Sequence, residues 1–348
     1  MIAMPENIGT LNLFEHRQDP GGGLYRLIHT YNDIISIENL LEAWQEFVRG
    51  KRKRKDVQEF QLHLMDNIFS LYLDLKDKTY HHGPYYAFNI SDPKPRNIHK
   101  ATVRDRLLHH AIYRILYPYF DKKFISDSYS CRLNKGTHKA NQQFQKYFRK
   151  VSKNNTGTCW VLKCDIRKFF ANINHGILLE ILKKHIPDED AINLLKTIMK
   201  SFHSMESGKG LPLGNLTSQL LVNIYMNEFD QFLKHKLKAK YYIRYADDFV
   251  LFGHDRLHLT LLLKEIDIFL NKELKLSLHP DKVYIKTYTS GVDFLGWVHF
   301  SDHRVLRTTT KKRMFRNLSG KSVDSYRGLL KHGNAHTLRK IVDDIILE

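Results

Sequence analysis

Cysteines, long apolar runs and acidic residues are all scarce in this chain of 348 residues. The three cysteines, Cys131, Cys159 and Cys164, form no Cys-x-x-Cys pair, which indicates neither a structural zinc site nor a disulfide framework. No apolar run approaches the ~18 residues of a membrane-spanning helix. Residues 1–13 lack the basic segment and the long apolar segment of a signal peptide. We therefore expect a reduced, cytoplasmic protein with no membrane partner.

The shortage of acidic residues leaves a strongly basic chain. Lysine and arginine total 55 against 37 aspartate and glutamate residues, a formal net charge of +18 with a pI near 9.6. This excess favours a polyanionic partner, most simply nucleic acid. The 18 tyrosines and 20 phenylalanines supply rings for base stacking, which favours nucleic acid over a basic surface for solubility or an anionic membrane. The length predicts two or three subdomains.

Two adjacent carboxylates interrupt an apolar segment, residues 241–252, that is rich in aromatic and β-branched side chains. The pattern predicts two short strands joined by a turn that carries Asp247 and Asp248. Two acids held together repel each other, and a hard divalent cation such as Mg²⁺ offsets that cost. The alternative is a solvated Asp-Asp turn. A third carboxylate nearby would favour the metal site.

Asp165 is the candidate for that third carboxylate. It ends the segment Trp160–Asp165, which has the composition of a buried strand. A carboxylate cluster of this kind can hold two metals, one activating a hydroxyl and the other stabilising a leaving pyrophosphate. An aspartate at a strand end is weak evidence alone, but together with the predicted hairpin it favours a metal-dependent nucleotidyl transfer site.

Several basic side chains are candidates for phosphate contacts. The run Lys51, Arg52, Lys53, Arg54 and Lys55 follows a predicted helix and is either a phosphate-binding patch or a solvated charged face. Lys94 and Arg96 lie in a proline-rich segment that is either a simple turn or a hairpin that reaches a nucleotide triphosphate. Arg132 and Lys135 lie in the loop-like segment 127–138 and are candidates for contacts with a nucleic-acid backbone.

In chain order, these elements resemble the reverse transcriptase family over about residues 85–300. Asp165 matches the first catalytic aspartate of that family, and Tyr245-Ala246-Asp247-Asp248 matches its signature box. The resemblance implies that Asp165, Ile166, Asp247 and Asp248 bind two Mg²⁺ ions, for which Mn²⁺ can substitute. It also implies that Lys282 protonates the departing pyrophosphate and that Leu295 and Gly296 belong to the primer grip.

Phe170, five residues after Asp165, falls at the position of the family's steric gate. A bulky ring there blocks a ribose 2′-hydroxyl, so the resemblance implies synthesis of DNA from dNTPs. The alternative is an ordinary core phenylalanine.

The segment Leu213-Gly214-Asn215-Leu216-Thr217-Ser218-Gln219 departs from most of the family, which has Gln-Gly and Ser-Pro where this chain has Leu-Gly and Ser-Gln. This form resembles the reverse transcriptases of diversity-generating retroelements, which are bacterial or phage-encoded. That resemblance implies copying of a template RNA with errors opposite adenine, mutagenic retrohoming, and a small basic oligomeric accessory protein. It places Leu213, Gly214 and Asn215 near the template and Gln219 near the incoming nucleotide. The alternative is ordinary fidelity.

The expected fold is an α+β right-hand polymerase with fingers, a palm built on an antiparallel sheet, and a short helical thumb. We expect an N-terminal lead-in over 1–35 and fingers with basic N-terminal helices over 36–155. The palm would cover 156–300, with fingers and palm helices at 175–240, and a basic helical thumb 301–348. The expected partners are template RNA, a cDNA primer and dNTPs. A retron, group II-like or phage-defence reverse transcriptase is the alternative enzyme, and an RNA chaperone or splicing cofactor is the non-enzymatic alternative.

Overall fold

Helices and short antiparallel sheets make up the computed structural model, which describes residues 26–91, 95–204, 206–320 and 322–347. The helices are α1 (Tyr31–Ile35), α2 (Ile37–Phe47), α3 (Lys55–Leu62), α4 (Leu64–Lys76), α5 (Val103–Asp121), α6 (Thr137–Val151), α7 (Phe169–Asn172), α8 (His175–His185), α9 (Glu189–Lys200), α10 (Leu216–Gln231), α11 (Arg256–Lys272), α12 (Thr308–Arg316), α13 (Val323–Leu330) and α14 (His336–Leu347). The strands are β1 (Tyr86–Ile90), β2 (Arg96–Lys100), β3 (Trp160–Asp165), β4 (Tyr242–Tyr245), β5 (Asp248–Gly253), β6 (Tyr284–Thr287), β7 (Val292–Phe294), β8 (Trp297–His299) and β9 (Arg304–Leu306). These elements confirm the predicted α+β class.

A four-stranded antiparallel sheet of order β4-β5-β3-β6 supports the predicted catalytic residues. Successive side chains of a strand point to opposite faces. On β3, Leu162 and Cys164 therefore enter one hydrophobic cluster, whereas Val161 enters a second cluster on the other face. Because both faces are covered, the strands are apolar along nearly their whole length, as the sequence pattern predicted.

Helices cover both faces of this sheet. The first cluster combines one face with α2, α5 and α10, and Ser36 caps α2 by accepting a hydrogen bond from the Asn39 amide at 3.2 Å. The second cluster places Phe144 and Phe148 of α6 against the other face. Within the described ranges, no helix combines the length and apolar character needed to cross a bilayer.

Two smaller sheets flank the central one. Strands β1 and β2 form an antiparallel hairpin, and β7, β8 and β9 form a three-stranded meander. A third cluster joins that meander to the last helices, with Trp297, Met314 and Leu330 buried together. The predicted helical C-terminal region is therefore present, and it packs against the meander.

Three helices have irregular features. The segment after the basic run is divided at His63, where φ is −119° and ψ is 41°, so that α3 ends at Leu62 and α4 begins at Leu64. Helix α5 continues through Pro118 to Asp121, because aromatic side chains on both sides of the proline are buried in the core. Helix α10 ends at Gln231 and is followed by a π-helical turn over Phe232–Lys236.

Candidate active site

The three predicted carboxylates meet at one end of the four-stranded sheet. Asp165 ends β3 and is paired with Asp248, the first residue of β5. Ala246 and Asp247 form the two-residue turn between β4 and β5, and Ala246 has a left-handed φ of +56°. The antiparallel pairing thus brings together residues that are far apart in the sequence.

Main-chain hydrogen bonds connect this strand end to its neighbours. The Ile166 amide donates to the Asp247 carbonyl at 3.1 Å, and the His279 amide donates to the Asp165 carbonyl at 2.8 Å. Main-chain hydrogen bonds therefore hold both Asp165, at the end of β3, and Asp247, in the turn between β4 and β5.

Two lysines form ion pairs with the carboxylates. Lys282, whose side chain is 42% exposed, donates to Asp165 Oδ1 at 3.0 Å. Lys163, whose side chain is 9% exposed, donates to Asp248 Oδ1 at 2.8 Å. Lys163 was not predicted from the sequence. The sequence did contain a clue to its role. Lys163 is a charged residue in an otherwise apolar strand, and it lies two positions before Asp165 and therefore on the same face of the sheet.

The surroundings of Asp247 and Asp248 make ionisation of their carboxyl groups less favourable. Burial, followed by the negative charge of Asp165, raises the pKa of Asp247 to about 6. Burial also raises the pKa of Asp248, although the Lys163 ammonium opposes that shift. Clustered carboxylates with raised pKa values favour the arrival of a cation.

The donor set has the chemistry of a magnesium site, because carboxylate oxygens are the ligands that Mg²⁺ prefers. In the described part of the chain, however, no three His, Cys, Asp or Glu side chains are arranged to hold a metal ion. Instead, Lys282 and Lys163 neutralise Asp165 and Asp248. A carboxylate has two oxygens, so each ion pair engages one oxygen and a cation can take the other.

A buried arginine donates a hydrogen bond to the turn that carries Asp247. Arg244 is fully buried on β4, and its guanidinium donates to both carboxylate oxygens of Asp230 at 2.7 and 2.8 Å. It also donates to the Ala246 carbonyl at 3.2 Å, to Asn223 at 3.3 Å and to Ser128 at 3.0 Å. This network joins α10, the loop before α6 and the turn that carries Asp247. Arg244 was not singled out from the sequence.

The predicted nucleotide and template residues lie around one loop. The Leu211 amide donates to the Phe170 carbonyl at 2.9 Å, which joins the predicted steric gate to the glycine-rich loop before α10. The His99 amide of β2 donates to the Leu213 carbonyl at 3.1 Å, and Asn215 donates to the His99 carbonyl at 3.0 Å. The β1–β2 hairpin and this loop therefore form one surface.

Gly214 is required at the centre of that surface. Its φ is +104°, and a Cβ atom there would lie 2.9 Å from Cγ2 of Ile98. The neighbouring Asn215 is buried, and its Oδ1 has no hydrogen-bond partner among the described residues. Gln219 lies one turn into α10 and is partly exposed. Gln219 therefore presents a partly exposed polar side chain beside the loop.

The predicted phosphate contacts differ in their exposure. Arg96 is exposed at the start of β2, whereas Lys94 lies outside the described residues. In the basic run, Arg52, Lys53 and Arg54 are exposed and Lys55 lies 3.8 Å from Glu59. Lys51 instead donates to the Phe47 carbonyl at 2.7 Å, and burial lowers its pKa.

The Arg132 side chain is buried and forms its hydrogen bonds within the protein. Its guanidinium donates to the side chain and carbonyl of Asp121 and to the Ile125 carbonyl, and the side chain is only 6% exposed. This arrangement gives Arg132 a structural role and does not support the predicted backbone contact. Lys135 donates to the Ser126 carbonyl at 2.7 Å and lies over the Tyr129 ring.

Leu295 and Gly296, predicted for the primer grip, form the two-residue turn between β7 and β8. Both have positive φ values, +47° and +89°. A turn with two left-handed residues matches the twist of a tight hairpin. Leu295 adopts this conformation despite its side chain, which makes the turn a strained feature.

The sequence around this site is similar to that of known proteins. Residues 90–299 match the protein-family profile described as reverse transcriptase (RNA-dependent DNA polymerase). Protein YkfC of Escherichia coli (strain K12) is 26% identical over 272 residues, which cover 66% of this chain and 69% of YkfC. The group II intron-encoded protein LtrA of Lactococcus lactis subsp. cremoris is 25% identical over 320 residues, covering 71% of this chain and 51% of LtrA.

Among solved structures, telomerase from Candida albicans, in complex with a TWJ fragment of telomeric RNA, has a TM-score of 0.50 and 11% identity. The superposition covers 72% of this chain and 50% of the telomerase chain. The chain therefore spans about half the length of LtrA and of this telomerase. The likeness confirms the predicted right-hand polymerase fold.

Proposed function

The chain belongs to the reverse transcriptase (RNA-dependent DNA polymerase) family, and on this premise we propose that it copies a template RNA into cDNA by extending a primer 3′ end. Its class of activity is that of an RNA-directed DNA polymerase. The observation that carries the proposal is the meeting of Asp165, Asp247 and Asp248 at one end of a rigid sheet. An RNA chaperone or splicing cofactor has no need of these three carboxylates.

Asp165, Asp247 and Asp248, with Ile166, would hold two Mg²⁺ ions, and Mn²⁺ is the expected substitute. When bound there, the metals lower the pKa of the primer 3′-hydroxyl and stabilise the charge of the leaving pyrophosphate. The chain's own residues orient the site. Lys163 holds the Asp248 carboxylate, and Lys282, which is more exposed and lies beside Asp165, would give a proton to pyrophosphate.

The proposed division of labour follows the order of the chain. Fingers over 36–155 would present Lys94 and Arg96 to the triphosphate, and the palm over 156–300 would carry the chemistry. Leu213, Gly214 and Asn215 would lie near the template, with Gln219 near the incoming nucleotide and Leu295 and Gly296 near the primer. The thumb, 301–348, and the exposed part of the run Lys51–Lys55 would contact the nucleic-acid backbone.

Phe170 is expected to select dNTPs over rNTPs. Replacing it with alanine removes the ring that would clash with a ribose 2′-hydroxyl, so the preference for dNTP should fall about tenfold or more. The measurement is kcat/KM for single-nucleotide addition of dNTP and rNTP. Phe69→Ala, the same change at a ring that is 45% exposed on α4, is the control. An unchanged preference in Phe170→Ala would make Phe170 an ordinary core residue.

We propose further that the enzyme is the mutagenic reverse transcriptase of a diversity-generating retroelement. Support comes from Leu213 and Gln219, which stand where most of the family has glutamine and proline. The Leu213 carbonyl accepts a hydrogen bond from the His99 amide, so the Leu213 side chain stands where the loop meets the β1–β2 hairpin. Similarity to LtrA supports the alternative, a group II-like enzyme of ordinary fidelity.

Primer extension on an RNA template distinguishes these alternatives. We expect misincorporation opposite template adenine to exceed that opposite the other three bases, because apolar Leu213 removes a polar contact at the pairing site. Leu213→Gln should lower the adenine-specific error rate several-fold, and Gln219→Pro should act in the same direction. Equal accuracy opposite all four bases in the unmodified enzyme would favour the ordinary-fidelity lineages.

The diversity-generating assignment also implies a protein partner, a cellular location and a biological source. We include in the proposal a small basic oligomeric accessory protein, which should be added to the primer-extension assay in a parallel reaction. We also include a cytoplasmic, bacterial or phage-encoded origin, which the bacterial sources of YkfC and LtrA support.

A further inference from the structure

Helix α6 has an outer face that the proposed polymerase chemistry does not use. Its inner residues, including Phe144 and Phe148, are buried against the sheet. On the opposite side, side chains three or four positions apart line an open concavity of about 530 Å³. The lining residues are Gln142, Gln145, Lys146, Arg149, Lys150, Lys153 and Asn154.

The charge of this concavity, which we call the α6 groove, is not balanced. Lys146, Arg149, Lys150 and Lys153 are exposed, and none forms an ion pair with another described residue. The chain has no aspartate or glutamate between Asp127 and Asp165, a segment that contains eight lysines and arginines. A concave surface lined by one sign of charge concentrates the opposite sign.

The backbone beside the groove is unusual. Lys153, Asn154 and Asn155 have consecutive left-handed φ values of +49°, +58° and +71°. The Asn154 amide donates to the Arg149 carbonyl at 2.8 Å, so this turn folds back onto the end of α6. Left-handed residues other than glycine are uncommon, and a run of three that places Lys153 and Asn154 in the lining favours a functional surface.

The α6 groove lies away from the catalytic carboxylates. Phe148 stacks on Tyr288 with ring centroids 3.6 Å apart, and the Tyr288 amide donates to the Cys159 carbonyl. This end of α6 is therefore beside the start of β3, while Asp165 is at the other end of the strand. At about 3.3 Å per residue, five residues separate the two ends of β3 by roughly 16 Å.

We propose that the α6 groove binds the phosphate backbone of folded RNA outside the polymerase site. Four cations match phosphates, and the amides of Gln142, Gln145 and Asn154 can bond to phosphates and 2′-hydroxyls, the groups by which RNA helices are recognised. A membrane surface is disfavoured because the lining has no apolar side chain to insert. The site recognises backbone and shape, so it is independent of base sequence.

The test uses the full chain and a blunt RNA hairpin that has no single-stranded end to enter the polymerase site. In the triple variant Lys146→Gln, Arg149→Gln, Lys153→Gln, we expect affinity at 150 mM salt to fall at least about tenfold. The slope of log affinity against log salt should fall by about 0.7 to 0.9 for each phosphate that the variant no longer neutralises. Fluorescence anisotropy over a salt series measures both.

A control removes the same charge elsewhere. Lys78, Lys183 and Lys184 each face a carboxylate, so the triple glutamine variant at these positions should leave hairpin affinity unchanged. Primer extension on a short unstructured template, together with the melting temperature, should match the unmodified protein in both variants. Equal loss of hairpin binding in both, or none in the α6 variant, would overturn the proposal. Binding of polyglutamate as tight as the hairpin would also overturn it, in favour of an acidic protein partner.

Discussion

Replacing Asp247 with asparagine is expected to abolish DNA synthesis and to leave RNA binding nearly intact. The amide has the shape of the carboxylate but lacks the negative charge that two adjacent cations require, so the extension rate should fall by a factor on the order of 10³ or more. Primer extension and RNA anisotropy measure the two effects. Asp255→Asn is the control, because Asp255 caps α11 and asparagine caps equally well. Retained DNA synthesis in Asp247→Asn would contradict the assignment of Asp247 as a metal ligand.

The same variant gives a second expected result, on stability rather than activity. Because the folded protein raises the pKa of Asp247 from 3.8 to about 6, ionisation of this group destabilises the fold. The penalty is absent below about pH 4, where the carboxyl is protonated in both folded and unfolded states, and is complete above about pH 6. In metal-free buffer at pH 7, Asp247→Asn should therefore melt at a higher temperature than the unmodified protein. Thermal melts between pH 4 and 7 should show this difference growing with pH.

Replacing Arg244 with lysine is expected to reduce both stability and synthesis. A lysine cannot reproduce the two parallel bonds to Asp230 together with the bonds to Ala246 and Ser128. Because the lysine ammonium still faces Asp230, the loss of stability should be smaller than the about 3–5 kcal/mol that removing one partner of a buried ion pair costs. The Ala246 carbonyl loses its donor at the same time, so the turn that carries Asp247 is less well held. Denaturant unfolding and kcat for primer extension measure the two effects.

The double variant Arg244→Met, Asp230→Leu separates positioning from stability. Replacing a buried ion pair with apolar residues of similar volume is often neutral or stabilising, so much of the lost stability should return. The turn still lacks the donor to the Ala246 carbonyl, so kcat should stay reduced by about tenfold or more. The KM for dNTP should change less than kcat, because Arg96, the residue proposed to contact the triphosphate, lies on β2 and not in this network. Full activity in a stable double variant would show that Arg244 serves stability alone.

The sequence by itself determined the family and the fold class, and it singled out Asp165, Asp247 and Asp248 as the candidate carboxylates, because each of these inferences depends on local patterns. Nearly continuous apolar segments predicted β3, β4 and β5, and the interruption at Ala246-Asp247-Asp248 predicted their turn, although Asp248 is the first residue of β5. Capping interactions have the same short range, as at Asn174 before α8, whose side chain accepts from the Ile177 amide. These patterns involve residues that are close together in the sequence, so they can be identified without knowledge of the tertiary fold.

Only the tertiary structure decided which side chains support the carboxylates. Lys163 reaches Asp248 across 85 residues, and Asn215 reaches the His99 carbonyl across 116. Arg132 was a candidate for a contact with a nucleic-acid backbone, but its guanidinium instead donates to Asp121, Ile125 and Ser128. A charged residue such as Arg244 in an apolar strand conflicts with the local pattern, and the conflict is resolved only when Asp230 packs against it. The physical reason is that burying a charge is costly without a partner, and the partner is supplied by long-range packing.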